Sequence, residues 1–83
     1  MTMTNDAQML AEFGQRANAM GAQCAEYANR ATAGFPHSCD TPKAKQINEQ
    51  ATQLSSLLKQ CSELANQIGS GAVQEASRIL GGG

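Results

Sequence analysis

The stretch that decides the fold is Ile47–Ala72, INEQATQLSSLLKQCSELANQIGSGA. Apolar or small residues recur in it at Ile47, Ala51, Leu54, Leu58, Cys61, Ala65, Ile68 and Ala72. The steps alternate between four and three, which is the spacing of a helical seam that lies against a partner surface. Leu57 and Leu64 form a second apolar line beside it, so the stripe is wider than a simple two-stranded seam requires.

Working outward, the chain supplies a matching helix upstream. Leu10, Phe13, Ala17, Met20, Cys24, Tyr27 and Ala31 repeat with the same steps. A neighbouring line, Ala7, Ala11, Gly14, Asn18, Gly21, Ala25 and Ala28, is almost entirely small. Gly14 and Gly21 each cost a helix up to about 1 kcal/mol relative to Ala. Two readings of them stand side by side: close approach of a second backbone, or simple tolerance within a long helix.

The punctuation sets the boundaries. Asn5 reads as an N-cap with Gln8 completing a capping box and Asp6 at the positive end of the dipole. Gly34 suits a left-handed C-cap, Phe35 can fold back on the last turn, and Pro36 forbids continuation. Thr41 or Asp40 caps the next helix, with Pro42 at its first position. Gly69-Ser70-Gly71 reads as a break or hinge. A short amphipathic piece with Val73, Ala76, Ile79 and Leu80 follows, then a glycine tail.

The expected fold is all-α. It is an antiparallel two-helix hairpin with a short C-terminal helix, completed into a helical bundle by oligomerisation. As one domain over 1–83, it has helix about 5–33, loop 34–41, helix about 42–69, short helix about 72–80 and flexible tail 81–83. Folding about the loop pairs residues whose numbers sum to about 75, setting Met20 near Leu54 and Ala17 near Leu58. In that register Cys24 and Cys61 lie roughly 15 Å apart along the axis, too far for a disulfide.

Composition limits the functions open to such a chain. Six basic and seven acidic residues give a net charge of −1, so no basic surplus exists for nucleic acid. No apolar run approaches the ~20 residues of a membrane span. The start, Met1-Thr2-Met3-Thr4, has neither the basic nor the apolar region of a signal peptide. The expected compartment is the cytoplasm, with signal-less secretion open.

Among reactive residues, His37-Ser38-Cys39-Asp40 is the sole cluster of His, Cys and carboxylate. It lacks the further ligands of a zinc site and any paired acid/base arrangement. No catalytic, cofactor-binding or metal residue is therefore assigned, and no enzyme is expected. Cys24 and Cys61 read as small hydrophobes on the seams. Lys43 and Lys45 read as a solvated face at a helix start. The Leu80-Gly81-Gly82-Gly83 end is similar to the di-glycine tail of ubiquitin-like modifiers, but the chain before it carries no β-rich pattern, so it reads as a flexible terminus.

The leading expectation is a structural or interaction protein that binds a copy of itself or a partner helix. Phe13, Met20, Leu54, Leu57, Leu58 and Leu64 are its expected interface anchors. The layout of two helices around the Pro36-to-Pro42 loop resembles type III secretion needle subunits and their small helical co-chaperones. That resemblance implies a polymerising subunit or a small export chaperone. The prolines six apart and the glycine end depart from the needle pattern. ESX-type secreted hairpins are similar in layout, but their Trp-x-Gly turn has no counterpart in a chain without Trp. A regulatory metal or redox module using His37 and Cys39 is the expectation of a different class.

Overall fold

The computed structural model describes residues 2–81. It holds two helices, α1 (Thr2–Arg30) and α2 (Pro42–Gly81), packed side by side, with no strand among the described residues. The all-α hairpin expected from the seams is what forms. It is a rod, with extents of 63 × 15 × 14 Å and a radius of gyration of 18.9 Å. A compact chain of this length would have a radius of roughly 12 Å.

Local chemistry explains the connection. α1 ends at Arg30, three residues short of the expected 33, and a turn carries the chain through Ala33, whose N–H donates to the Arg30 carbonyl at 3.1 Å. Gly34 takes the left-handed conformation, φ 78°, that its place after a helix demands. The Cys39 N–H closes a further turn on the Pro36 carbonyl at 2.9 Å. Thr41 then caps α2: its hydroxyl accepts from the Ala44 N–H at 3.2 Å and its carbonyl from the Lys45 N–H at 3.0 Å. Pro42 is the first helical residue, where its missing N–H leaves nothing unsatisfied.

Three expectations are corrected here. First, Gly69-Ser70-Gly71 is no hinge: α2 runs unbroken for 40 residues, about 60 Å, so no separate short helix exists. Gly69 is buried in the helix contact, and packing outweighs its poor intrinsic propensity. Second, α1 begins at Thr2 rather than after an Asn5 cap; Asn5 is within the helix, its amide directed to the Met9 sulfur four residues on. The long α2 gives the first turn of α1 a helix to lie beside. The expected tail falls partly on Gly82 and Gly83, outside the described residues, while Gly81 ends α2.

Third, the register is different. The Ser62 hydroxyl donates to the Gly21 carbonyl at 2.8 Å, and the Ser55 hydroxyl to the Ala28 carbonyl at 2.8 Å. Gly14 lies against Gly69. In all three pairs the residue numbers sum to 83, not 75, a slide of eight residues or about 12 Å. Carried one heptad further, the register sets buried Ala7 level with buried Ala76. The loop is therefore not a tight bend between equal helices. Residues 31–41 run beside the first turns of α2, which extend past the end of α1, with Ala31, Thr32 and Phe35 half-buried and Ala44 buried.

Candidate interaction surface

The face each helix turns inward is the small one. In α1 the inward line is Ala7, Leu10, Gly14, Ala17, Gly21, Cys24 and Ala28, alternating steps of three and four, with Ala11 half-buried beside it. In α2 the corresponding line is Ala51, Ser55, Leu58, Ser62, Ala65, Gly69, Ala72 and Ala76. Both observed lines share every second residue with the bulky seams read from sequence. The other residues are displaced by one: 13, 20 and 27 give way to 14, 21 and 28, and 54, 61 and 68 give way to 55, 62 and 69. Each helix is thus rotated from the expected orientation, and Phe13, Met20 and Leu54 turn outward.

Backbone approach is what the small residues permit. A Cβ placed on Gly14 would sit 2.8 Å from the Gly69 carbonyl oxygen and 3.0 Å from the Ala72 Cβ. One on Gly69 would sit 2.8 Å from the Gly14 carbonyl oxygen. At Gly21 it would meet the Asn66 amide oxygen at 2.6 Å. The serine hydroxyls at 55 and 62 occupy the same layer and satisfy themselves on carbonyls of the facing helix, so this polar content is fully paired.

With a and d assigned to the contact residues (a at Gly14 and Ser62, d at Ala17 and Ala65), positions g and c lie to one side of each helix and e and b to the other. Antiparallel neighbours are related by a rotation about the normal to their common plane. That rotation keeps the g side of α1 beside the g side of α2. The e and b side is polar over most of its length, with Asn18, Asn29, Lys59, Glu63 and Asn66, and carries exposed Val73 and Leu80 towards the end of α2; a shallow open depression of about 250 Å³ on its polar part is lined by Ala25, Asn29, Lys59, Ser62 and Glu63.

The g and c side is the opposite in character. From α1 it presents Met9, Phe13, Met20 and Tyr27, each more than half exposed. From α2 it presents Ile47, Leu54, Leu57, Leu64 and Ile68, between 43% and 59% exposed. Cys61 is exposed in the middle of this line. Among the described residues no large side chain is fully buried, and the buried apolar residues are all alanines. Of the six expected anchors, five (Phe13, Met20, Leu54, Leu57 and Leu64) share this open face. Leu58 does not: it is half-buried between the helices. Sequence reading missed Ile68 and Ile47 as outward residues, because a one-residue rotation changes which of two parallel lines is inside.

The reactive residues do not converge. His37 packs edge-on against Phe35, ring centroids 5.3 Å apart, and Cys39 is exposed in the loop. No group of three His, Cys, Asp or Glu able to hold a metal occurs among the described residues. The register places Cys61 two residues from the level of Cys24, correcting the expected 15 Å separation; both are free thiols, Cys24 half-buried in the contact and Cys61 outside it. Exposed ion pairs lie along single helices: Glu12–Arg16 at 3.9 Å, Glu26–Arg30 at 2.6 Å, and Glu75–Arg78. The hydrogen bond from Arg78 holds the Glu75 carboxyl below its ordinary range, and raises Arg78 in turn.

Fold and surface together define the class: an all-α hairpin closed through small residues, carrying one long apolar outer face, with no helix long and apolar enough among the described residues to cross a membrane. Comparison of the chain with protein-family models, with curated proteins and with solved structures finds no match.

Proposed function

We propose that this protein is a structural or interaction module whose outer g/c face docks on another helical surface in coiled-coil fashion. The observation that carries the reading is the inversion of sizes. A hairpin built to stand alone would bury its largest side chains; this one buries alanine, glycine and serine, keeps Leu10 and Leu58 only half-buried, and leaves Met9, Phe13, Met20, Leu54, Leu57 and Leu64 open. The small inner residues give cross-helix closeness, but little apolar area to offset the entropy of ordering some eighty residues. Covering the outer face supplies that area, at ~25 cal/mol per Å² removed from water. Leu57, Leu64, Phe13 and Met20 are the anchors, with Leu54 beside them.

The test is a photo-activatable side chain placed in the native cell at position 57 on the outer face, and separately at position 63 on the polar face. The module reading expects a discrete cross-linked product, another helical chain or a second copy, from position 57 alone. Equal products from both positions, or none from position 57, would refute it.

A further inference from the structure

We infer that the occupant of the outer face is a second copy of this chain, laid across it antiparallel, with the two-fold axis passing at Cys61. The inference rests on the docking role just proposed and names the partner.

Area is the first support. A folded 8.7 kDa monomer would expose roughly 4,700 Å², whereas this hairpin exposes 6130 Å². The nine large apolar residues of the g/c face, at about half exposure and roughly 100 Å² apiece, offer ~900 Å² per copy, against the ~800 Å² per partner of a standard stable interface.

Self-complementarity is the second. A two-fold interface brings residue i of one copy to residue j of the other and the reverse, so the line facing itself must be symmetric about its centre. Between Leu54 and Ile68 the outer line of α2 has that symmetry, while Ile47, nearer the loop, falls level with Glu75. Leu54 and Ile68 lie seven residues either side of Cys61, and Leu57 and Leu64 lie four and three residues either side. Turned end for end on itself, leucine 57 comes level with leucine 64, and Leu54 with Ile68. Cys61 meets its own copy. In α1, Phe13 and Tyr27 at g positions and Arg16 and Arg30 at c positions of the same side centre within about a residue of that height. There the same axis brings Arg16 level with Tyr27 and Arg30 level with Phe13, cations beside aromatic rings.

Charge is the third. Asp6 and Glu75 flank the apolar face at the end remote from the loop. Copies laid parallel would gather four carboxylates at that end against two Arg78 guanidinium groups. The antiparallel arrangement divides them between opposite ends.

The test measures solution mass by light scattering and then cross-links by mild oxidation with diamide, which takes up the two protons and two electrons released as a pair of thiols becomes a disulfide. Two variants isolate the thiols: Cys24→Ala with Cys39→Ala leaves Cys61, and Cys24→Ala with Cys61→Ala leaves Cys39. The expected mass is twice the 8.7 kDa chain. The Cys61-only chain should form covalent dimer at least ~10-fold faster than the Cys39-only chain, whose thiols sit at opposite ends of the bundle, far beyond the ~7 Å a disulfide spans. Faster linkage through Cys39 would overturn the antiparallel arrangement. A fully helical single-chain mass would overturn the second copy altogether. In that case a product at position 57 containing a different chain would leave the docking role standing, and no product there would remove both.

Discussion

At the residue scale, the protein depends on atoms that are absent. Gly14 and Gly69 face each other with a carbonyl oxygen 2.8 Å from where either Cβ would be. Gly69→Ala is expected to force the helices apart and lower thermal stability by about 1–3 kcal/mol, the range for overpacking a close contact. Gly71 is two residues away in the same helix and has open space around it. Gly71→Ala should therefore stabilise the helix by about 0.5–1 kcal/mol. A pair of circular-dichroism melts checks both; equal shifts of one sign would refute the close approach. Ser62 gives a finer test. Its hydroxyl to the Gly21 carbonyl is a buried cross-helix bond, so Ser62→Ala should cost about 0.5–1.5 kcal/mol. Exposed Ser56 makes no hydrogen bond with its side chain among those described, and Ser56→Ala should be close to neutral.

At the scale of the elements, the boundaries around the loop were written plainly in the chain. Gly34 takes positive φ, Thr41 caps and Pro42 leads α2, each for a reason tied to that residue's own backbone chemistry. Removing the cap with Thr41→Ala should cost about 1 kcal/mol, read from the same melts. Local chemistry failed where a residue answers to a distant one. Gly69-Ser70-Gly71 has the composition of a hinge, yet Gly69 is where α1 comes nearest, and the helix continues through it. The orientation of each helix was illegible for a related reason. Two heptad lines lie one residue apart in both helices, and a preference for burying bulk selects the wrong one. The available signal was the match between Ala7, Gly14, Gly21 and Ala28 in α1 and Ser55, Ser62, Gly69 and Ala76 in α2, small residues spaced by seven in both. At the far end of α2, the Arg78 hydrogen bond lowers the Glu75 carboxyl below its unfolded value. Its support is therefore present above the ordinary carboxylate range and lost as pH falls through the lowered folded value. An NMR titration of Glu75 should show the depressed midpoint, and Arg78→Gln should restore it.

At the scale of the whole molecule, the protein is a thin rod with an alanine interior and an apolar flank, which is what the proposed pairing of two copies would cover. The fold class was legible because helical periodicity is local; the proposed docking face was legible only in part, since Leu57 and Leu64 were read as an uncovered line beside the seam, while Phe13, Met20 and Leu54 were expected inside the hairpin and lie outside it. Leu58 and Leu57, adjacent in sequence, separate the two roles. Leu58→Asp puts a charge between the helices and should abolish folding. Leu57→Asp puts it on the outer face and should weaken association. The measurement that tests the central claim most directly is the melting temperature followed over a hundredfold range of protein concentration. When folding is coupled to pairing of two copies, the midpoint rises with concentration by mass action, and Leu57→Asp lowers it most at the dilute end. A midpoint that stays fixed across that range, with full helicity at the dilute end, would contradict the account.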